Sequence, residues 1–129
     1  MTVAVAQSDT ARGKAALRSA AAEALLRGEP LAVLRIIPGV DKPGTEDPAL
    51  IEQLATELAD FSDLDWKLHT GPEGFDTADA LLGLAEQVGA SLLVIGSRRR
   101  RPIGKALLGS TVQQVLLKSQ IPVLVVKAS

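Results

Sequence analysis

Gly96, Arg98, Gly109, Ser110 and Thr111 are the residues of this chain whose types and spacing best support chemistry, and that chemistry is the holding of an anion. They frame the segment Gly96-Ser97-Arg98-Arg99-Arg100-Arg101-Pro102-Ile103-Gly104-Lys105-Ala106-Leu107-Leu108-Gly109-Ser110-Thr111. It follows the apolar run Leu92-Leu93-Val94-Ile95 and opens a helical pattern. A buried strand, a glycine-bearing basic loop and a helix start form an arrangement suited to phosphate. Backbone N–H groups at a helix N-terminus are unpaired and carry partial positive charge. Arg98 to Arg101 set full charges beside them.

Other chemistries are poorly served. Gly104-Lys105 suggests a P-loop, but G-x4-G-K-[S/T] needs glycine where Arg99 stands and a hydroxyl where Ala106 stands. There is no G-x-G-x-x-G dinucleotide fingerprint. His69 is the single histidine, and a lone strand histidine reads as a solvated surface residue. Asp63 and Asp65, and Asp76 and Asp79, read as turn and cap residues rather than acid–base pairs. Neither Ser8 nor Ser110 has a histidine expected nearby. The absence of cysteine excludes disulfides, thiolate metal sites and cysteine nucleophiles together. The residues hold no catalytic constellation and no metal site, and the chain reads as a non-enzyme.

A length of 129 residues fits one domain over 1–129, large enough to bury a core. With 47% hydrophobic but only 2% aromatic residues, that core must be Leu, Val, Ile and Ala. No segment is long enough to span a bilayer, and Met1 to Ser8 lacks a signal pattern, so a cytoplasmic location is expected. The net charge of −1 hides a split: residues 1–86 carry −8 and residues 87–129, which contain no acid, carry +7. Such asymmetry points to an anionic partner for the C-terminal part, unless the fold interleaves the halves. The arginine run could contact nucleic acid phosphates. The lack of accompanying aromatic residues and a pI near 5.8 argue against that, and arginines capping a strand end or reaching across a dimer explain the run equally well.

The elements that must position this loop alternate from end to end. Thr2 to Ala6 is a short strand. Ala11 to Arg27 is an alanine-rich helix, with Leu17, Leu25 and Leu26 in helical positions, stopped by Gly28. Leu31 to Ile37 is a second strand. After a loop, Asp47 caps a helix with Pro48 at its first position, burying Ile51, Leu54, Ala55 and Leu58. Asp65 to Thr70 alternates as a half-exposed edge strand, with Trp66, Leu68 and Thr70 on one face. Asp76 or Thr77 caps a helix carrying Leu81, Leu82, Ala85 and Val88. Leu92 to Ile95 is apolar throughout, as in a central parallel strand. Ser110 with Gln113 fits a capping box for a helix to about Ser119, and Pro122 to Lys127 closes the chain as a strand. Five strands alternating with four helices specify an α/β fold, an open parallel sheet covered on both faces. Such sheets bind ligands beyond the carboxyl ends of their strands, where the loops Gln7–Thr10 and Gly96–Gly109 would lie.

Val3-Ala4-Val5, Leu92-Leu93-Val94-Ile95-Gly96-Ser97-Arg98, Leu108-Gly109-Ser110 and Ile121-Pro122-Val123-Leu124-Val125-Val126-Lys127 together resemble the universal stress protein family. The likeness covers nearly the whole chain in order and spacing. It implies a Rossmann-like, three-layer α/β sandwich of the adenine nucleotide alpha hydrolase-like type, with strand order 3-2-1-4-5. ATP-binding members carry G-x2-G-x9-G-[S/T]. Here Gly96 and Gly109-Ser110 match, while Arg99 stands at the middle glycine. Ala6 stands where the family places an aspartate that holds the nucleoside. The resemblance implies that Ile36 and Ile95 wall a base, and that Gly96, Arg98, Gly109, Ser110 and Thr111 face a phosphate.

What the resemblance implies is a non-catalytic, dimeric stress-response regulator that binds ATP or another phosphorylated ligand at the Gly96–Thr111 loop. Arg99 and Ala6 favour the alternative, a member without nucleotide binding that acts only as a protein-interaction module. Slow ATP hydrolysis is a distant third reading. The expected partner is a second copy of the chain. Ile121 to Val126 is uncharged, and in the 3-2-1-4-5 order it forms a sheet edge, which tends to pair with another chain.

Overall fold

The computed structural model describes residues 1–97 and 109–128. Its elements follow in strict alternation: β1 (Thr2–Ala6), α1 (Ala11–Arg27), β2 (Leu31–Ile36), α2 (Pro48–Glu57), β3 (Trp66–Gly71), α3 (Thr77–Gln87), β4 (Ala90–Ser97), α4 (Ser110–Lys118) and β5 (Val123–Lys127). The strands form one sheet in the order β3-β2-β1-β4-β5, and every neighbouring pair is parallel. The α/β architecture and strand order expected from the residues and the resemblance are therefore observed.

Successive side chains of a strand point to opposite faces, so each central strand feeds two cores. Val3, Val5, Val33, Leu68 and Val94 pack with α1 and α2 on one face. Ala4, Leu34, Leu93 and Ile95 pack with α3 and α4 on the other. This is why β4 reads as an unbroken apolar run: both of its faces are covered.

The buried face of α2 matches the expectation in part, at Leu54 and Leu58, and α1 rests on a face made mostly of small residues. On α1, Leu17 is buried, but Leu25 and Leu26 are exposed, and the inner stripe is Gly13, Ala16, Leu17, Ala20, Ala21 and Ala24. That stripe is a regular 3.6-residue face, and its small side chains let α1 press closely on the sheet. On α2 the buried stripe is Leu50, Leu54 and Leu58, each four residues after the last. Ile51 is half-buried and Ala55 faces solvent. A short helix resting on three leucines in one row turns the neighbouring row outward.

The loops bring the helix starts to the carboxyl ends of the strands. Thr10 caps α1 by accepting from the Gly13 N–H at 3.1 Å. Asp47 and Asp76 do the same for α2 and α3, at 3.2 Å and 2.7 Å. Gly28 ends α1 in the left-handed conformation at φ 66°, its N–H donating to the carbonyls of Ala24 and Leu25.

Candidate functional site

A cleft of about 520 Å³ opens over the carboxyl ends of β1, β2 and β4, bounded by the starts of α1, α3 and α4. It lies where the strand order reverses, since β1 has β2 on one side and β4 on the other. Ala6, Ile36 and Ile95 supply its apolar wall, and Gly96, Gly109, Ser110 and Thr111 its polar end. Six of the seven residues named from sequence thus meet in one place; the seventh, Arg98, lies outside the described residues.

The α4 end differs from the expected capping box. Ser110 is the first helical residue, not the cap. Gly109 takes the cap position at φ 96° and ψ 149°, and among the described residues no side chain caps the helix start. A positive φ there suits glycine and would strain a serine. The Gln113 N–H donates to the Gly109 carbonyl at 3.1 Å, so the helical ladder begins at that carbonyl. The first N–H groups of α4 consequently have no intrahelical acceptor, and they sit at the mouth of the cleft. No acidic residue occupies the first turn. A compact anion is the chemical partner that such an end can hold.

Gly96 has a packing role that its motif position does not announce. A Cβ at residue 96 would meet the backbone carbonyl of Arg12, at the start of α1. A Cβ on Gly13 would likewise meet the side chain and backbone of Ser8. Two glycines therefore let the β1–α1 turn fold down against the end of β4, and this close approach shapes the cleft floor. Ser8 Oγ and Thr10 Oγ1 lie 2.7 Å apart in the same turn.

The side of the cleft toward α2 carries a polar chain that the motif did not reveal. Arg35 Nη1 donates to Gln7 Oε1 at 2.7 Å, and Arg35 Nη2 lies 3.3 Å from Asp9 Oδ2. Gln53 Nε2 donates to Asp9 Oδ1 at 2.9 Å. The hydrogen bond from Gln53, then the bonds and charge of Arg35, hold the Asp9 carboxyl below its usual value. Gln7 is buried; among the described residues its Nε2 has no close hydrogen-bond partner, though the Gln7 amide lies near enough to Asp9 to add to the lowering of that carboxyl. Both Gln7 and Arg35 line the cleft. The available signal was a charge, Arg35, inside an otherwise apolar strand, and the polar Gln7 that directly follows β1.

Among the described residues, no group of three or more His, Asp or Glu side chains is placed to hold a metal ion. None of their helices is long and apolar enough to cross a membrane. His69 is half-buried on β3 rather than fully solvated, and burial, then the nearby Lys67 charge, lowers its pKa from 6.5.

The family model described as the universal stress protein family matches residues 1–127. A universal stress protein of Mycolicibacterium smegmatis is 50% identical over 56 residues; the match spans 43% of each chain, less than half the length of that relative. The solved universal stress protein of Archaeoglobus fulgidus superposes with a TM-score of 0.73 at 32% identity, covering 98% of this chain and 97% of that one. The universal stress protein from A. fulgidus solved in complex with dAMP superposes at 0.68 with 28% identity, covering 98% and 96%. A cleft at the strand-order reversal, an uncapped helix start and a family match over nearly every residue converge: the chain belongs to the universal stress protein family.

Proposed function

We propose that this chain is a non-catalytic, cytoplasmic stress-response protein that binds a nucleotide, ATP or a related phosphorylated ligand, in the cleft between β1, β2, β4 and α4. The observation that carries the reading is the N-terminus of α4, which opens into the cleft with no side-chain cap. In this reading the backbone N–H groups of Ser110 and Thr111 face phosphate, with Gly109 setting their direction and Arg98 adding charge. Gly96 lets the β1–α1 turn approach closely beneath the ligand, and Ile36 and Ile95 flank the base. The complex of the A. fulgidus universal stress protein with dAMP supports a nucleotide in a fold of this kind.

The test is mass spectrometry of small molecules extracted from the purified protein, joined to calorimetry with AMP and ATP. Ser110→Pro is the informative variant. Proline is well tolerated at the first helical position, yet it removes one N–H that would face phosphate. Losing one hydrogen bond to a charged group should weaken binding by about tenfold or more. No extracted nucleotide and no heat of binding would overturn the reading and leave an interaction module.

The same reading includes a homodimer built through Ile121 to Val126. β5 is a sheet edge whose Leu124 is 38% exposed, and Leu116 and Leu117 on α4 are exposed as well. An uncharged edge strand with apolar neighbours favours antiparallel pairing with a second copy.

A further inference from the structure

Two cations border the cleft, and the structure balances only one of them. Among the described residues, Arg12 and Arg35 are the charged residues that line it, and no carboxylate does. Arg35 lies 3.3 Å from Asp9, whose carboxylate also accepts from Gln53 at 2.9 Å. Asp9 is the acid nearest to Arg12 along the chain, and these partners hold it on the α2 side. Ion pairs among the described residues engage Arg18, Arg27, Arg35 and Lys118, but not Arg12. Residues 98–108, between β4 and α4, contain no acid and so bring no side-chain carboxylate to it.

Arg12 is also fixed at its root. Its backbone carbonyl occupies the space of a side chain on residue 96, and its Cβ lies 3.1 Å from where a Cβ of that residue would stand. The side chain therefore starts beside the end of β4. It is half-buried and lines the cleft, whereas Lys14, two residues on, is exposed and does not. A cation in the first turn of a helix opposes the helix dipole, and no acid in the first turn of α1 offsets it. Concave walls of one charge sign concentrate the field on an anion, and the guanidinium fork matches phosphate oxygens.

We propose that Arg12 holds a second phosphoryl group, so that the cleft prefers a nucleotide carrying two phosphoryl groups to a nucleoside monophosphate. This rests on the nucleotide-binding reading above and adds the phosphorylation class of the ligand to it. α1 packs on one face of the sheet and α4 on the other. The Arg12 side chain and the open start of α4 therefore approach the cleft from opposite faces, and each serves an anion of its own. The second group either extends the 5′ chain or sits on a ribose hydroxyl; both offer the same oxygens to a guanidinium.

The experiment is calorimetry of the full chain with AMP, ADP and adenosine 3′,5′-bisphosphate, which share base, ribose and 5′-phosphate. At least one of the doubly phosphorylated ligands is expected to bind about tenfold or more tightly than AMP. Tighter ADP binding places the second group on the 5′ chain, and tighter bisphosphate binding places it on the ribose. Arg12→Gln should abolish the preference while leaving AMP binding nearly unchanged, and Arg12→Lys, which keeps the charge, should retain part of it. Lys14→Gln removes the same charge from the exposed side of α1 and should keep the preference whole. Circular dichroism and melting temperature confirm that each variant is folded. Equal affinities for all three ligands, tighter AMP binding, a preference that survives Arg12→Gln, or one lost equally in Lys14→Gln would overturn the proposal while leaving nucleotide binding intact. Failure of all three to bind would remove the underlying reading and this one with it.

Discussion

The carbonyl of Arg12 occupies the space that a Cβ on residue 96 would need. α1 and the end of β4 are thereby locked in contact beneath the cleft, through backbone on one side and a missing side chain on the other. A backbone carbonyl, unlike the end of a flexible side chain, cannot rotate away from a clash.

Gly96→Ala should therefore destabilise the protein by about 1–3 kcal/mol, the range for forced overpacking. Thermal denaturation would read this as a fall of several degrees in Tm. An unchanged Tm would show that α1 can withdraw from β4 at little cost. Gly83 is the control, because a Cβ there meets nothing within 4 Å; Gly83→Ala in a helix interior should be neutral or stabilising.

The helix starts predict a contrast between two substitutions. Asp47 accepts from the Leu50 N–H, so Asp47→Ala should cost about 1 kcal/mol. Ser110 caps nothing with its side chain, so Ser110→Ala should change stability by less than about 0.5 kcal/mol. Denaturant melts of the two variants measure both. Equal losses would restore a capping role to the Ser110 hydroxyl.

His69 predicts a pH dependence with a definite sign. Its folded pKa lies below the 6.5 of an ordinary imidazole, chiefly through burial. Between those two values the unfolded chain binds more protons than the folded one, so stability falls as pH drops through the window. His69→Gln should flatten this part of the stability–pH curve while leaving the curve above neutral pH unchanged. An identical slope in the variant would assign the acid loss to the carboxylates instead.

Leu124 tests the proposed pairing of β5. Leu124→Lys places a charge on the exposed edge, and edge lysines oppose strand pairing. Light scattering at micromolar concentration should show a dimeric mass for the unaltered chain and a monomeric mass for the variant. A monomer in both cases would remove β5 from consideration as an interface.

Much of the molecule is legible in its sequence. Periodicity is a local property, so Leu92 to Ile95 reads as a doubly covered strand and Asp65 to Thr70 as an edge strand from their neighbours alone. Asp47-Pro48 and Gly28 likewise marked helix ends by local backbone chemistry. The spacing of Gly96 and Gly109-Ser110 located the loop that borders the cleft, and the resemblance supplied the strand order. Tertiary packing decided the rest. Whether Leu25 or Ala24 faces the sheet depends on where α1 crosses it, and whether Ala55 or Leu50 is inside depends on how α2 leans. Ser110 lost its expected cap role because Gly109 could adopt a positive φ that places the serine within the helix. Gln7, Asp9, Arg35 and Gln53 come from three segments far apart in the chain. Their hydrogen bonds exist only because β1 and β2 run side by side and end together, a relationship that no local pattern encodes.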